Sequence, residues 1–221
     1  MIPIFIVRYK MPEMENRCFL TVVSHTNSAR GRVVVVDNGP ENRPLGVVWN
    51  EMIETCPYWK GDPDPVGVLL NTDCFVTEGW LEKLEKAIRH SSNIGFVGPM
   101  TNMCGSAQRV NSKYNPEDHP GEICYVGQIS GFCLMFRREA WEAAGRFQED
   151  APFYGQESAL IWNAQRFGWR VAMVLDCWVE HLRAASARAA DARGEMNWSE
   201  ERKKGGQWYA HYRNRVLRDG K

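Results

Sequence analysis

Three short, continuous runs of apolar residues dominate the first third of the chain and limit the folds it can adopt. They are IPIFIV (2–7), GRVVVVDNG (31–39) and VGVLLNTD (66–73). Runs without polar residues at alternate positions are typical of strands that helices cover on both faces. The segments between them, 14–26 and 45–56, are long enough for crossover helices. Strand, helix and strand in this order predict an α/β domain with a mostly parallel central sheet flanked by helices.

The remainder of the chain continues this alternation. The same periodicities predict a helix at 77–91 capped by Thr77, a strand at 93–100, a strand and a helix within 127–147, a helix at 155–169 and a strand at 170–176. The polar segment 101–125 is a long loop that could close over a ligand. We divide the chain into a domain of residues 1–182 and a helical C-terminal extension of residues 183–221.

Composition limits the classes of function. Lys and Arg number 27, as do Asp and Glu, so no overall charge draws the chain to nucleic acid or membrane. The extension alone carries ten basic and five acidic residues, and its basic, aromatic end could touch an anionic acceptor such as nucleic acid. Seven scattered cysteines without a CxxC pair are typical of reduced thiols. We recognise no signal peptide or transmembrane segment, and expect a cytoplasmic protein.

Ionisable residues end or follow three of the predicted strands. Asp37 ends the second apolar run, Asp73 ends the third, and His181 follows the strand at 170–176. Ligands of open α/β sheets bind beyond the carboxyl ends of strands, so these side chains are candidates for one site. Either aspartate taken alone could equally cap a turn. A carboxylate with an imidazole suits Mn²⁺, or Mg²⁺ when diphosphate oxygens and water complete the coordination.

Phosphate-binding loops are missing from the sequence. Neither a Walker A motif nor GxGxxG occurs, so a P-loop or a dinucleotide site is not indicated and a diphosphate would be held chiefly by the cation. A nucleotidyltransferase shares the α/β layout but usually needs a glycine-rich loop near the first strand. IVRYKMPEMENR (6–17) contains no glycine, which makes that alternative the weaker one.

An ordered set of motifs runs through residues 2–182: IPIFIVRYK, VVVVDNG, LLNTDCFVTEGWLEKL, VGPM, SGFCLMFRREAWEAAGRFQED, FYGQESALIWNAQRFGWRV and EH. This set resembles that of family 2 glycosyltransferases of the GT-A fold, especially the rhamnosyltransferase-like branch. The resemblance implies a GT-A catalytic domain at 1–182, followed by a C-terminal helical extension packed on or beside it.

The resemblance also implies a role for each matching residue. Asp37 matches the acidic residue that pairs with the nucleotide base, where a carboxylate can accept the N3–H of uracil or thymine. Asp73 matches the metal-binding last aspartate of the DxD motif, and His181 matches the histidine that completes the metal site. Asn71 replaces the first aspartate of DxD and could bond to ribose or sugar. The other residues expected to contact the donor are Arg8, Asn50 and Gly131.

Glu157 matches the carboxylate that serves the family as general base on the acceptor. It lies eleven residues before Gly168, which is the family's spacing. Gln156 replaces the other member of the acidic pair, and Ala159 and Asn163 replace a later aspartate and arginine. A carboxylate at a helix start could instead simply be stabilised by the macrodipole. Six aromatic residues around it could stack a sugar or fill the core: Trp141, Phe147, Phe153, Tyr154, Trp162 and Trp169.

The implied function is inverting, metal-dependent transfer of a sugar from a UDP- or dTDP-sugar to an acceptor hydroxyl. Glu157 would take the proton of that hydroxyl, while Asp73 and His181 hold Mn²⁺ or Mg²⁺ at the diphosphate. The acceptor could be a glycan, a lipid-linked sugar, a small molecule or a hydroxylated base in DNA. The replacements Gln156, Ala159 and Asn163 leave an alternative, a non-catalytic nucleotide-sugar-binding protein of the same fold.

Overall fold

A mixed sheet of eight strands forms the centre of the computed structural model, which describes residues 1–182 and 185–219. The strands are β1 (Ile2–Arg8), β2 (Gly31–Asp37), β3 (Val66–Leu70), β4 (Cys74–Val76), β5 (Ile94–Met100), β6 (Ile123–Val126), β7 (Cys133–Arg137) and β8 (Arg170–His181). Their order is β2-β1-β3-β7-β5-β8-β4, with β6 also paired to β8. Two basic residues of the predicted extension, Arg183 and Lys221, lie outside the described residues.

The strands run mostly in one direction. β1 pairs in parallel with β2 and β3, and β5 pairs in parallel with β8. β7 lies between β3 and β5 and is antiparallel to both, while β4 and β6 are antiparallel to β8. The predicted α/β class is therefore confirmed: five strands share one direction, and the antiparallel strands β4, β6 and β7 make the sheet mixed.

Helices cover both faces of the sheet. The described residues contain α1 (Pro12–His25), α2 (Leu45–Glu54), α3 (Trp80–Ile88), α4 (Arg138–Ala143), α5 (Gln156–Arg166), α6 (Ala185–Ala192) and α7 (Trp198–Asp219). Side chains alternate along β1, so that Ile4 and Ile6 pack with α1 and α3, while Phe5 packs with α2, α4 and α5. Burial of both faces is the main source of hydrophobic stabilisation.

The three apolar runs differ in burial. All five residues of β3 are buried, as the continuous run predicted. β2 is the last strand on its side of the sheet, and Val35 is 41% exposed. The prediction that this second run is covered on both faces is therefore wrong.

Two predicted boundaries move. Helix α3 begins at Trp80 after Gly79, whose φ of 70° lies in the left-handed region that favours glycine. The hydroxyl of Thr77 donates to the carbonyl of Trp178 at 2.8 Å, so Thr77 ties the turn to β8 and does not cap the helix. Strand β8 runs on past residue 176 and includes His181, which pairs with Cys74 of β4.

The long polar segment 101–125 is held against the sheet. It contains a 3-10 turn at Pro116–Asp118 and the start of β6. The side chain of Gln108 is fully buried and donates to the carbonyl of Pro99 at 2.8 Å. The hydroxyl of Tyr114 donates to the carbonyl of Leu175 at 2.5 Å. These bonds fix the segment beside β5 and β8.

The extension is helical, as predicted, and packs on α5. Tyr212 of α7 is buried, with its ring stacked on Trp208 at 5.2 Å and edge-on to Trp162 of α5 at 6.3 Å. Arg213 lies 4.9 Å from the ring centre of Trp162, a cation–π distance. The aromatic residues at the basic end of the chain thus form part of the contact with the domain.

Candidate active site

The turn between β3 and β4 carries Asp73 to the end of the sheet. The backbone N–H of Asn71 donates to the carbonyl of Phe132 at 2.9 Å, and the N–H of Cys74 donates to the carbonyl of Asn71 at 3.2 Å. Asp73 is only 4% exposed. A carboxylate this buried requires hydrogen bonds or an opposite charge, and the backbone N–H of Ala185 supplies one bond to its Oδ2 at 3.1 Å.

The imidazole of His181 faces this carboxylate. Its Nε2 lies 3.4 Å from Asp73 Oδ2, and both side chains are nearly buried. Its Nδ1 lies 2.6 Å from the carbonyl oxygen of Met103. A carbonyl can only accept, so Nδ1 carries a proton, and Nε2 is the ring nitrogen that faces Asp73. The ring also stacks on Phe132, with centroids 4.7 Å apart and planes at 13°.

Cys74 completes a group of three potential metal ligands. The ligand atoms of Asp73, Cys74 and His181 all lie within 4.8 Å of one another. The thiol of Cys74, however, donates to the carbonyl of Phe132 at 3.3 Å, and burial raises its pKa well above the usual value. Metals bind the thiolate rather than the thiol. Cys74 is therefore near the site through its strand register, and the usable ligands are Asp73 and His181.

The two side chains fit a hard divalent cation. Adjacent ligands of an octahedral Mg²⁺ lie about 3 Å apart, close to the 3.4 Å between Nε2 and Oδ2. A bond from the remaining ring nitrogen to a carbonyl is the usual support of a metal-binding histidine. The described residues give the side-chain amide of Asn71 no hydrogen-bond partner, which leaves it available to a ligand.

Glu157 lies in the first turn of α5, directly against Gly131. A β-carbon at Gly131 would lie 3.1 Å from Cγ of Glu157, so the glycine permits this approach. Burial raises the pKa of Glu157, opposed only by a bond from its own backbone N–H. Among the described residues the carboxylate has no ion-pair partner. A carboxylate with a raised pKa and no paired cation has the properties of a general base.

Asp37 and Arg8 lie side by side at the ends of β2 and β1, where they are register partners. Asp37 is exposed, and its Oδ1 accepts from the N–H of Gly39 at 2.9 Å. The Nε of Arg8 donates at 2.8 Å to Glu15, which is 2% exposed and also accepts from the N–H groups of Tyr9 and Met11. Sequence reasoning missed Glu15, although acidic residues commonly occupy the first turn of a helix.

Asn50 has a structural position. It is buried in α2, where its amide donates to the carbonyl of Phe147 at 3.0 Å and its oxygen accepts from the N–H of Phe147 at 3.1 Å. Its amide also donates to Glu149 at 3.1 Å. These bonds join α2 to the segment after α4, and they occupy the side chain for which a contact with the donor was predicted.

The structure therefore groups the predicted residues in pairs. Asp73 faces His181, Glu157 touches Gly131, and Asp37 neighbours Arg8. The residues that orient His181, Met103 and Phe132, were not predicted. The bond from Met103 is made by a backbone carbonyl, which carries no residue-type signal.

Comparison with solved structures identifies the fold. A structure of GalNAc-T7 with UDP, GalNAc and Mn²⁺ superposes with a TM-score of 0.61 at 14% identity, covering 82% of this chain and 43% of that chain. The mannosyltransferase PcManGT from Pyrobaculum calidifontis in complex with GDP-Man and Mn²⁺ gives 0.55 at 15% identity, covering 85% and 59%. A197 from STIV gives 0.52 at 15% identity, covering 82% and 86%. The chain thus has the fold of the GT-A glycosyltransferases.

No protein-family model matches the sequence, and no curated protein matches it. The chain spans less than two thirds of the length of the first two solved structures. Over the described ranges, none of the helices combines the length and apolarity needed to cross a bilayer.

Proposed function

We propose that the protein is a metal-dependent glycosyltransferase that moves a sugar with inversion from a UDP- or dTDP-sugar to an acceptor hydroxyl. The observation that carries the proposal is the Asp73–His181 pair. At the end of a GT-A sheet, Nε2 of His181 faces the buried carboxylate of Asp73 across 3.4 Å, with the ring fixed from its other nitrogen. Two such ligands leave most coordination positions to water and diphosphate oxygens.

Asp73 and His181 would hold Mn²⁺ or Mg²⁺ in this proposal. When bound, the cation supplies positive charge that stabilises the departing nucleoside diphosphate. Asn71, two residues before Asp73, offers an unpaired amide to the ribose or sugar. Asp37, exposed at the end of β2, is available to accept the N3–H of uracil or thymine. Arg8 contributes by holding the β1–α1 loop beside it through Glu15.

Glu157 is the proposed general base. Its raised pKa makes the carboxylate a stronger base than an exposed glutamate, and Gly131 leaves space for it at the start of α5. Deprotonation of the acceptor hydroxyl by Glu157 would accompany attack on the anomeric carbon from the face opposite the diphosphate. A single displacement of this kind inverts the anomeric configuration.

The chemistry of the acceptor is the least defined part of the proposal. A glycan, a lipid-linked sugar, a small molecule and a hydroxylated DNA base all present the hydroxyl that this mechanism needs. Membership of the rhamnosyltransferase-like branch remains a prediction from the motif order. A cytoplasmic location, also proposed, agrees with the seven cysteines, none of which forms a disulfide.

Non-catalytic binding of a nucleotide sugar is the alternative, prompted by Gln156, Ala159 and Asn163. Ala159 is fully buried, and the amide of Asn163 donates to the carbonyl of Ala144 at 2.6 Å. These two replacements therefore lie in the packing of α5. Gln156 is buried, with its amide nitrogen bonded to the carbonyl of Pro152. These positions leave activity compatible with all three replacements. Turnover on any acceptor would exclude the non-catalytic alternative.

A thermal-shift screen tests the proposal. Unfolding would be followed with UDP, dTDP, GDP and their sugar conjugates, each with and without Mn²⁺. A ligand at 100 times its Kd stabilises the folded state by about 2.7 kcal/mol, so we expect a clear rise in melting temperature that requires both nucleotide and metal. Absence of a metal-dependent shift with every nucleotide would contradict the proposed function.

A further inference from the structure

The extension reaches the candidate active site at three places. The backbone N–H of Ala185 donates to the carboxylate of Asp73 at 3.1 Å. Glu195 accepts from Lys10, in the loop after β1, at 3.1 Å. The indole N–H of Trp198, the first residue of α7, donates to the hydroxyl of Tyr154 at 2.6 Å. The extension is thus one wall of the site rather than a separate module.

Tyr154 is held firmly at this wall. A β-carbon at Gly205 of α7 would lie 2.5 Å from the carbonyl oxygen of Tyr154, and one at Gly155 would lie 3.1 Å from the carbonyl oxygen of Gly205. Backbones in such close contact cannot slide past each other without clashes. The ring of Tyr154 also packs edge-on against Phe153 at 5.0 Å. Its hydroxyl therefore has a defined position.

The hydroxyl of Tyr154 keeps a proton to donate. It accepts from Trp198, and the described residues provide no acceptor for its own O–H. Burial raises its pKa, and the charges of Asp73 and Glu157 raise it further against the opposing effects of Trp198 and Arg202. The phenol is therefore a neutral donor at physiological pH.

We propose that the Tyr154 hydroxyl donates a hydrogen bond to a hydroxyl oxygen of the transferred sugar, and that Trp198 is its positioning residue. The inference rests on the proposed function and deepens it. Tyr154 lies three residues before Glu157, and Trp198, which bonds to it, belongs to the extension whose Ala185 bonds to Asp73. The Tyr154 hydroxyl is thus tied to segments that carry the proposed base and the proposed metal ligand, and the transferred sugar must lie between those two groups. The O–H of Tyr154 has no acceptor among the described residues, and a hydroxyl oxygen of the sugar can accept its hydrogen bond. The extension then contributes to donor recognition.

Binding measurements test the assignment without turnover. Isothermal titration with Mn²⁺ would compare UDP-glucose, UDP-N-acetylglucosamine and dTDP-glucose with sugar-free UDP and dTDP. Loss of one net hydrogen bond costs about 3- to 12-fold in affinity. We expect Tyr154→Phe to weaken the nucleotide sugar by that factor and to leave the sugar-free nucleotide within about 2-fold. A purely structural role for Tyr154 would affect both ligands alike.

Two further variants separate positioning from contact. Trp198→Phe keeps an aromatic side chain but loses the indole N–H, so we expect a smaller loss of affinity, again only with the sugar conjugate. The double variant should bind like Tyr154→Phe alone, because Trp198 acts through Tyr154 and the two effects are not additive. Tyr209→Phe makes the same chemical change on α7, away from the turn before α5, and should bind like wild type. Melting temperatures of all variants verify folding.

The outcomes are distinct. Equal weakening of UDP and UDP-sugar by Tyr154→Phe, or no change with either, would overturn the assignment while leaving the proposed function intact. Failure of the wild-type protein to bind any of these nucleotides with Mn²⁺ would overturn the proposed function, and the assignment with it. Additive losses in the double variant would overturn the positioning role of Trp198.

Discussion

His181 illustrates how one side chain is prepared for its role by three neighbours. Met103 fixes the proton on Nδ1, Phe132 fixes the plane of the ring, and Asn102 accepts from the backbone N–H at 2.9 Å. A ring oriented in this way requires little reorganisation when it binds a cation, which is the usual contribution of groups around a metal ligand.

The metal ligands give the first prediction at this scale. We expect Asp73→Asn and His181→Ala each to abolish the Mn²⁺-dependent part of the nucleotide thermal shift, because each removes one of the two proposed protein ligands. Cys74→Ala is the matched control, since its thiol bonds to a carbonyl and is not a ligand. The shift is read as the difference in melting temperature with and without Mn²⁺, which cancels any general loss of stability. A metal-dependent shift surviving in Asp73→Asn would place the cation elsewhere.

Glu157 gives the second prediction. With the donor that binds best, Glu157→Gln should lower the transfer rate by about 10²- to 10⁴-fold, because the amide cannot accept the proton. The Kd for the donor should stay close to wild type, because the residue acts on the acceptor. Single-turnover rates and titration calorimetry measure the two quantities. A transfer rate within a few-fold of wild type would sink the assignment of the base.

The raised pKa of Glu157 also has a consequence for stability. Below its ordinary value of 4.5, the carboxyl is protonated in both folded and unfolded chains and costs nothing. As pH rises past 4.5, the unfolded chain ionises more readily than the folded one, so the folded state is destabilised, fully so above the raised pKa. Glu157→Gln should therefore be more stable than wild type at pH 7–8, with the difference vanishing below pH 4.5. Urea denaturation at several pH values measures this, and a pH-independent difference would argue against it.

Among the elements, the junction of α7 with the turn before α5 is the most tightly constrained. Gly205 approaches Tyr154 so closely that even a methyl group would overlap the backbone, whereas a β-carbon at Gly206 meets nothing within 4 Å. Replacing these two adjacent glycines of α7 with alanine should therefore change the free energy of unfolding in opposite directions.

We expect Gly205→Ala to lower the free energy of unfolding by about 1–3 kcal/mol, because overpacking forces the backbones apart. Gly206→Ala should raise it by about 0.5–1 kcal/mol, since alanine is the better helix former and the space is open. Denaturant unfolding of the two variants beside wild type tests both signs. Equal effects would mean that α7 does not pack on this turn.

Elements also differ in how well the sequence predicts them. The buried strand β3 was predictable because its apolar run is covered on both faces. The same kind of run gave a wrong prediction at β2. An edge strand can have the apolar composition of a buried strand without being covered on both faces. The position of β7 between β3 and β5 depends on pairing between distant segments, for which a single sequence contains no signal.

At the scale of the whole molecule, the C-terminal extension is tied back to the first loop. Glu195 accepts from Arg193 at 2.9 Å and from Lys10 at 3.1 Å, and the hydroxyl of Tyr9 lies 3.3 Å from it. Arg193, and then Lys10, lower the pKa of Glu195 to about 2. Because this pKa is lowered, the stabilisation that the contact contributes is complete above pH 4.5 and is lost as the pH falls from there towards 2.

Glu195→Gln should accelerate amide hydrogen exchange in residues 185–198 by a few-fold and leave exchange in β3 and β7 unchanged. Glu201→Gln is the control, because Glu201 pairs only with Lys204 inside α7 among the described residues. Exchange followed by mass spectrometry at pH 7 measures the difference. Unchanged exchange in 185–198 would mean that these ion pairs do not hold the extension.

The same scale explains which parts of the site were predictable. Asp73, His181 and Glu157 could be proposed from motif order, because side chains able to perform this chemistry are restricted to a few residue types. Asn50 was assigned to the donor, yet its amide is fully engaged with Phe147. The role of Tyr154 depends on Trp198, forty-four residues further along the chain, and such a contact is defined only by the folded molecule.

The bond between His181 Nδ1 and the carbonyl of Met103 makes the imidazole a spectroscopic reporter. The proton on Nδ1, a nitrogen that lies 2.6 Å from the carbonyl oxygen of Met103, should exchange slowly with water and give an NMR resonance of its own at low field. The ¹⁵N shift of the opposite nitrogen, Nε2, would then follow occupancy by diamagnetic Mg²⁺ directly. Cation binding could thus be titrated at one atom, before any nucleotide or acceptor has been identified.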